Sequence, residues 1–425
     1  MIHRPALARA LPLLATRGEY PLRRDTAALG ERLLLKLMAR IAVGQLSVVL
    51  TSGARHEFVG ATPGPAATIT LSAPVAAWRL LLGGANGFAD AYVDGYWRAD
   101  DLPCLLELAA LNSAALGPSL LGSLWHRLLT RLAHARNANS RRGSQQNVER
   151  HYDLGNAFFA AWLDSSLTYS SALFEKPGLS LEEAQAAKNE KTADWAGIAE
   201  GSRVLEVGCG WGAFAELAAR RGAFVDAITL SAEQLEYARG RIAAAGLGKR
   251  ARISQRDYRD IEGHHDAIVS IEMIEAVGES YWPLYFETLA RALKPRGHLV
   301  LQAIVIADDH FETYRRRPDF IQRQVFPGGM LPCRNAILRD ARASGLALMR
   351  EASFGADYAR TLSIWRERFH VNWPAIAAQG FDERFRRLWD YYLAYCIAGF
   401  RTGRVNVLHL AFSHANRDQC AKGAS

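Results

Sequence analysis

The chain predicts an α/β protein, a parallel sheet covered by helices, preceded by a smaller mixed α+β domain. Three observations predict it. From about residue 147 onward, strand-like runs alternate with helical ones, the pattern of a parallel sheet with crossover helices. A glycine loop follows the first of these strands, in "VLEVGCGWGAF" (204–214). Ahead of them, residues 30–112 mix short β-rich and helical runs, and 425 residues suffice for two domains with a core each.

The opening "MIHRPALARALPLLATRGEY" has a basic start and a short apolar centre. Arg9 interrupts it and no cleavage site follows, so a helical N-terminus is expected rather than a targeting segment. "QLSVVLT" (45–51) and "ATITLSA" (67–73) read as strands, and "LPCLLELAALN" (102–112) as a helix. Residues 115–136 carry apolar residues at helical spacing beside Arg127, Arg131 and Arg136, an amphipathic basic helix. "NANSRRGSQQ" (137–146) is polar and contains Gly and Ser, so it reads as a linker. The expected domains are therefore 1–136 and 147–425.

In the second domain the expected strands are 203–207, 223–229, 251–254, 266–271 and 298–304. Helices fall between them; in "SAEQLEYARGRIAAAG" (231–246), Ser231 and Gln234 have capping-box spacing. "LARALKPRGHLVLQAI" (289–304) reads as helix, turn and strand. No internal repeat or low-complexity tract interrupts the pattern.

The composition, 49% hydrophobic and 22% charged, is that of a soluble globular protein. Five cysteines (104, 209, 333, 396 and 420) show no pairing spacing and no metal-type CxxC, which suits a reduced, cytoplasmic protein without a metal site. No run is apolar for long enough to span a membrane. The net charge of +8 points to an anionic partner, either nucleic acid or a membrane surface.

The glycine loop discriminates between cofactors. A dinucleotide site has GxGxxG, whose third glycine lets helix and strand pack closely. Here Gly208, Gly210 and Gly212 follow a GxGxG spacing, with Glu206 ahead of them at the strand end. That is the S-adenosylmethionine pattern of Rossmann-like class I methyltransferases. The glycines let the backbone approach a ribose and a methionine moiety; a tight turn without a ligand is the alternative. In the next strand, "AFVDAITLS", Thr229 stands where an acid usually holds the ribose hydroxyls, and Gln234 is the candidate for that task.

Longer motifs narrow the class. "HYDLGNAFFAAWLDSSLTYSSALFE" (151–175), "TLSAEQ" (229–234), "IEMIEAVGESYW" (271–282), "FIQRQVFPGGMLP" (320–332) and "YYLAYCIAGFR" (391–401) occur in order. Together with the glycine loop they resemble the cyclopropane-fatty-acyl-phospholipid synthase family, to which the mycolic acid methyltransferases belong. "GFADAYVDGYW" (87–97) is similar to the N-terminal domain of the longer bacterial members. The resemblance implies methyl transfer from S-adenosylmethionine to the double bond of an unsaturated acyl chain. It implies that Tyr169 and Ser170 line the cofactor with Gly208, Gly210, Thr229 and Gln234, and that Asp257 and Tyr258 flank the adenine.

In the ring-forming members the base is a bound bicarbonate. Its pocket corresponds to Ser171, Glu275, Gln302, the backbone of Ile304, and Tyr358. The family commonly has Cys at the position of Ser171 and His at that of Gln302. Gln donates an amide hydrogen bond but carries no charge and cannot titrate. A functional Cys of the family corresponds to Cys396. Transfer to an alkene needs no covalent enzyme intermediate, so a lining role is expected there rather than a nucleophile.

The chemistry asks for a shielded site. Alkene attack on a sulfonium methyl leaves a carbocation that water would trap. Aromatic faces stabilise such a cation by roughly 0.5–2 kcal/mol each; Tyr169, Tyr281, Trp282 and Tyr358 qualify by motif position, with core packing as the alternative. Proton loss from the new methyl closes a cyclopropane, whereas loss after rearrangement gives a methyl- or methylene-branched chain.

Glu272 bears on that choice. It precedes Glu275 by three residues at the end of a central strand, where open α/β sheets place ligands. If a helix begins there, the two carboxylates share a face. Many ring-forming relatives have a small residue at this position, so Glu272 is expected to occupy the bicarbonate position and act as base or cation stabiliser. Binding of cofactor or of a backbone amide is the alternative. Two enclosed carboxylates would also split their pKa values. The first expected product is a cyclopropane fatty acid. The rivals are a branched product with Glu272 in place of bicarbonate, and a catalytically silent lipid-binding protein.

The acyl double bond lies mid-chain, so the expected partner is an anionic membrane surface carrying unsaturated phospholipid, met from the cytoplasmic face. The helix around 115–136 and the arginines of "YRRRPDFIQR" (314–323) suit it, at about 1 kcal/mol per basic residue near the surface; a solvated face is the alternative. No RNA-binding module accompanies the charge, which argues against nucleic acid. A second copy of the chain, as a homodimer, is the other partner entertained.

Overall fold

The computed structural model describes residues 24–117, 143 and 154–415. The opening segment, the basic helix beyond Gly117 and nearly all of the 137–146 linker lie outside the described residues. The chain divides into two compact units: Met1–Arg136 with Arg316–Val325 and Leu362–Gly403, and Asn137–Arg315 with Phe326–Thr361 and Arg404–Ser425. Two later segments, Arg316–Val325 and Leu362–Gly403, belong to the first unit, so neither unit is one continuous stretch of chain. Their reason is apolar: the helix Glu383–Arg401 buries Trp389, Tyr391, Leu393, Ile397 and Phe400 and packs on the first unit's helices Val75–Val93 and Leu102–Leu111.

The first unit is built on a four-stranded sheet of β1 (Val43–Val49), β2 (Arg55–Val59), β3 (Thr62–Leu71) and β4 (Trp97–Ala99), in the order β2-β1-β3-β4. β1 pairs antiparallel with β2 and parallel with β3. Asp101 caps the helix Leu102–Leu111, its side chain accepting from the backbone N–H of Cys104 at 3.0 Å. Within this unit the buried Asp390 carboxylate accepts from Tyr92 Oη at 2.5 Å and Arg366 Nε at 2.7 Å, with His370 Nε2 at 2.8 Å.

The second unit holds a seven-stranded sheet. Its strands are β5 (Arg203–Val207), β6 (Phe224–Thr229), β7 (Ala251–Gln255), β8 (His265–Ile271), β9 (Leu293–Ile306), β10 (Leu346–Ser353) and β11 (Val405–His414). The order is β10-β11-β9-β8-β5-β6-β7. β5 to β9 pair in parallel, while β11 pairs antiparallel with both β9 and β10. The sheet is therefore mixed, a correction to the purely parallel expectation. β10 and β11 went unmarked because they lie beyond the regular strand–helix alternation.

Helices cover both faces of β5, and four of its five residues are buried, Val204, Leu205 and Val207 among them. β9 starts at Leu293, five residues earlier than expected: the helix Trp282–Ala292 runs straight into it. The shift in register opposite His265 and Ala267 absorbs the Lys294–Gly297 segment. Ser231 Oγ accepts from the Gln234 N–H at 3.2 Å, but the reciprocal half of that capping box is not made. Instead the Gln234 side-chain oxygen accepts from Thr229 Oγ1 at 3.0 Å.

From β5 the chain winds outward to β6 and β7, then returns to β8 on the other side. The carboxyl ends of β5 and β8 thus flank the topological switch point, where sheets of this kind place their ligands.

Candidate active site

The loop after β5 is shaped by glycine. Gly208 has φ +83°, and a Cβ there would lie 2.2 Å from Met273 Cγ. Gly212 has φ +85°, and its Cβ would lie 3.0 Å from Ala238 Cβ. Both positions need left-handed backbone; Gly208 has no room for a side chain, and at Gly212 Ala238 would have to give way. Met273 follows β8, so the two loops at the switch point touch.

Glu206, at the end of β5, is buried, and its Oε2 has no hydrogen-bond partner. Burial raises its pKa to about 8 against the opposing charge of Lys188. Beyond β6, Thr229 and Gln234 are buried and bonded to each other. Beyond β7, Asp257 accepts from the Arg259 backbone N–H at 2.9 Å and its guanidinium at 3.0 Å. Tyr258 is buried with no partner for its hydroxyl. A glycine cradle and an orphaned carboxylate oxygen after β5, with a buried phenol after β7, all at the carboxyl ends of the strands, fit S-adenosylmethionine, a cationic nucleoside without phosphate.

Residues 168–171 reach the site through the Ser171 N–H, which donates to the Glu272 carboxylate. The helix Leu181–Trp195 holds them: Gln185 Nε2 donates to Ser170 O at 2.8 Å and Thr168 O at 3.3 Å, and Lys188 Nζ donates to Ser170 Oγ at 2.8 Å. Half-buried Tyr169 packs its ring 5.5 Å from those of Phe159 and Trp162.

Glu272 immediately follows β8 and has φ +52°, rare for a residue with a side chain and costing about 1 kcal/mol or more. Its N–H donates to Gln302 O at 2.8 Å, extending the β8–β9 pairing. Its carboxylate accepts three hydrogen bonds, from the Ser171 N–H at 2.9 Å, Gln302 Nε2 at 2.8 Å and Tyr358 Oη at 2.8 Å. Ser171 acts through its backbone; its hydroxyl donates to Ala172 O at 3.0 Å.

The expectation that Glu272 and Glu275 share a helical face is corrected. The helix spans Ile274–Val277, and the left-handed turn at Glu272 sends its side chain elsewhere. Glu275 accepts from the Ile304 N–H through Oε1, and its Oε2 has no partner. Both carboxylates keep some accessible surface while lying deep in the unit. Burial, reinforced by the Glu272 charge, pushes the Glu275 pKa up to about 8. Burial also raises Glu272, but its three donors and Lys188 oppose the rise. At neutral pH Glu275 is mostly protonated, and Glu272 is the better-stabilised anion.

Three of the groups expected around bicarbonate, Ser171, Gln302 and Tyr358, already donate to Glu272. The residues present do not fit a separate anion at that point. Trp282 is buried in the hydrophobic core with Nε1 donating to Ile274 O at 3.2 Å, and the Arg259 guanidinium covers Tyr281. Cys396 lies on the helix Glu383–Arg401 in the first unit, where burial raises its thiol and keeps it protonated. Two groups went unnoticed in the sequence: Lys188, and His409 on β11, paired in register with Gln302. Both lie in segments whose motifs gave no chemical cue.

A glycine cradle and an enclosed carboxylate at the switch point of this sheet define a class I S-adenosylmethionine-dependent methyltransferase. Comparison narrows the class. The family profile described as mycolic acid cyclopropane synthetase matches residues 139–410. The tuberculostearic acid methyltransferase of Mycobacterium tuberculosis is 38% identical over 406 residues, 93% of each chain. The cyclopropane-fatty-acyl-phospholipid synthase of Escherichia coli is 35% identical over 342 residues, 79% of this chain and 85% of that one. A crystal structure of a mycolic acid cyclopropane synthase complexed with SAH and CTAB superposes with a TM-score of 0.59 at 30% identity, covering 63% of this chain and 97% of that one. The chain belongs to the mycolic acid cyclopropane synthetase family, and it is an S-adenosylmethionine-dependent methyltransferase.

Proposed function

We propose that the protein methylates the double bond of an unsaturated fatty acyl chain of a phospholipid, and that Glu272 is the base, giving a methylene-branched product. One observation carries the choice of product: the Glu272 carboxylate takes the three donors that would otherwise hold an exogenous anion. The relative that matches 93% of this chain is named a tuberculostearic acid methyltransferase rather than a cyclopropane synthase, which supports the same choice over the ring-forming one.

Bound at the glycine loop, S-adenosylmethionine supplies an electrophilic methyl. The alkene π pair forms the new C–C bond while the S–CH₃ bond breaks to a thioether, leaving a cation on the neighbouring carbon. A 1,2-hydride shift moves the cation to the methyl-bearing carbon. Glu272 takes a proton from the methyl, and that C–H pair becomes the double bond of a methylene (C=CH₂) branch on the chain. Glu275, largely protonated, adds no second negative charge. A saturated methyl branch would need a hydride donor afterwards.

We assign substrate capture to an anionic lipid surface, supported by the net charge of +8. Within 314–323, Arg315 is paired with Glu279 at 2.7 Å and Arg323 with Asp90 at 3.3 Å, so the exposed Arg317 is the better contact. No helix among the described residues is long and apolar enough to cross a membrane. Binding to liposomes should strengthen with anionic lipid and weaken with salt; equal binding to neutral vesicles overturns this assignment.

The product is tested by expressing the protein in cells rich in monounsaturated phospholipid and recording NMR spectra of the extracted fatty acids. Signals of a C=CH₂ branch, or of a methyl branch where the cells supply a reductant, are expected. Cyclopropane signals overturn the role given to Glu272, and unmodified chains overturn the whole reading in favour of a silent lipid-binding protein.

A further inference from the structure

The helix Leu181–Trp195 turns a polar stripe inward. Gln185, Lys188, Asn189 and Thr192, spaced i, i+3, i+4 and i+7, are 1%, 0%, 5% and 0% exposed. Helices normally bury the apolar side and solvate the polar one, and a fully buried lysine is rare unless it is paired. Gln185 and Lys188 grip Ser170 at its carbonyl and its hydroxyl, each at 2.8 Å. The next residue, Ser171, donates its N–H to the Glu272 carboxylate at 2.9 Å.

We propose that Lys188 is a positioning residue: its ammonium fixes the Ser170–Ser171 wall of the site and supplies the positive charge that keeps Glu272 an anion. The inference rests on Glu272 as the base. The carboxyl groups acting on Lys188 are Glu272, Asp164 and Glu206, and each, when ionised, favours its charged form against the cost of burial. Burial brings its pKa down to about 8, which leaves it mostly charged at neutral pH. His409 cannot substitute for it. That ring, 3.3 Å from Thr192 Oγ1, is held neutral with a pKa of about 3 by burial and by the charges of Lys188 and Lys191. The other titratable groups at Glu272 are Glu275, which opposes a second negative charge, and Tyr358, which donates to it.

One carbocation mechanism gives this arrangement a purpose. A base that must remain ionised in a dry pocket, beside a second carboxyl, needs a counter-charge nearby at neutral pH. That charge must not lie where the substrate cation forms, or it would destabilise the cation. Lys188 provides it from behind the serine wall.

The test reads Glu272 itself. The infrared carbonyl band of protonated Glu272 is assigned by its loss in Glu272→Gln, and its pH midpoint is followed in the full-length protein. Lys188→Met and Lys188→Gln should each raise that midpoint by on the order of one pH unit, and move the acidic limb of the pH–rate profile with it. Lys188→Gln can still donate to Ser170, so it separates charge from tether. Lys188→Arg should return the midpoint to its native value. An unmoved midpoint in either uncharged variant overturns the proposal. Where neither folds, Ser170→Ala, which removes the acceptor, should raise the midpoint too, and no shift there overturns it equally. The reading of Glu272 as base falls separately, if Glu272→Gln leaves the product unchanged.

Discussion

The hydroxyl of Tyr358 donates to the carboxylate of Glu272 at 2.8 Å, joining a helix after β10 to the loop after β8 across 86 residues of sequence. This bond lowers the Glu272 pKa, so its loss should raise it. Tyr358→Phe is expected to move the acidic limb of the pH–rate profile up by about one pH unit, the worth of one hydrogen bond to a charged group. Turnover measured from pH 5 to 9 checks it.

Removing the carboxylate proposed as base should be costlier. Glu272→Gln keeps the shape of the site but cannot accept a proton, and turnover should fall on the order of a hundredfold or more. Calorimetric affinity for S-adenosylmethionine should stay near that of the native protein. Unchanged turnover and product would remove Glu272 from the mechanism.

Glu275 should make the fold less stable as pH rises. Its pKa is raised from 4.5 to about 8 on folding, so between these values the native state holds a proton that the unfolded chain has released. Stability is therefore lost across that window, by at most about 1.4 kcal/mol per pH unit. Glu275→Gln retains an acceptor for the Ile304 N–H and should flatten the dependence. Urea melts of both proteins at pH 5 and pH 8 give the comparison.

Gly208→Ala places a methyl against Met273 and forces an alanine into left-handed backbone. A loss of about 1–2 kcal/mol in stability is expected, with weakened donor binding. Thermal melts and titration with S-adenosylmethionine measure the two effects.

The first unit has its own acid sensitivity. Burial would raise Asp390, but the His370 hydrogen bond and the Arg366 charge outweigh it and hold the pKa at about 2. The stabilisation is present above the unfolded value of 3.8 and is lost as pH falls through about 2. Asp390→Asn should cost about 2 kcal/mol at neutral pH and less in acid. Melts at pH 3 and pH 7 distinguish these.

Much of this was legible in the sequence because it is local. β5 runs over 203–207 as expected, and the glycine spacing at 208, 210 and 212 marks a loop that does turn through left-handed backbone at all three positions. Thr229 and Gln234 were singled out together and are bonded to each other. Glu272 was noticed for its place at a strand end, but its left-handed turn depends on contacts with β9 and Tyr358 that no local pattern encodes. Lys188 escaped notice because "EAQAAKNEK" has the composition of a solvated helix. Its burial is decided by Ser170 and by the strands beneath. β10 and β11 escaped because antiparallel closure of the sheet is a long-range pairing.

The return of Leu362–Gly403 to the first unit carries a cost for any shortened form of this enzyme. The inward side of Glu383–Arg401 is lined by Trp389, Tyr391 and Leu393 and rests on partners that precede residue 112. A chain started after residue 136 would present that aromatic surface to water. It should then precipitate or pair with itself unless its sequence were recoloured with polar side chains.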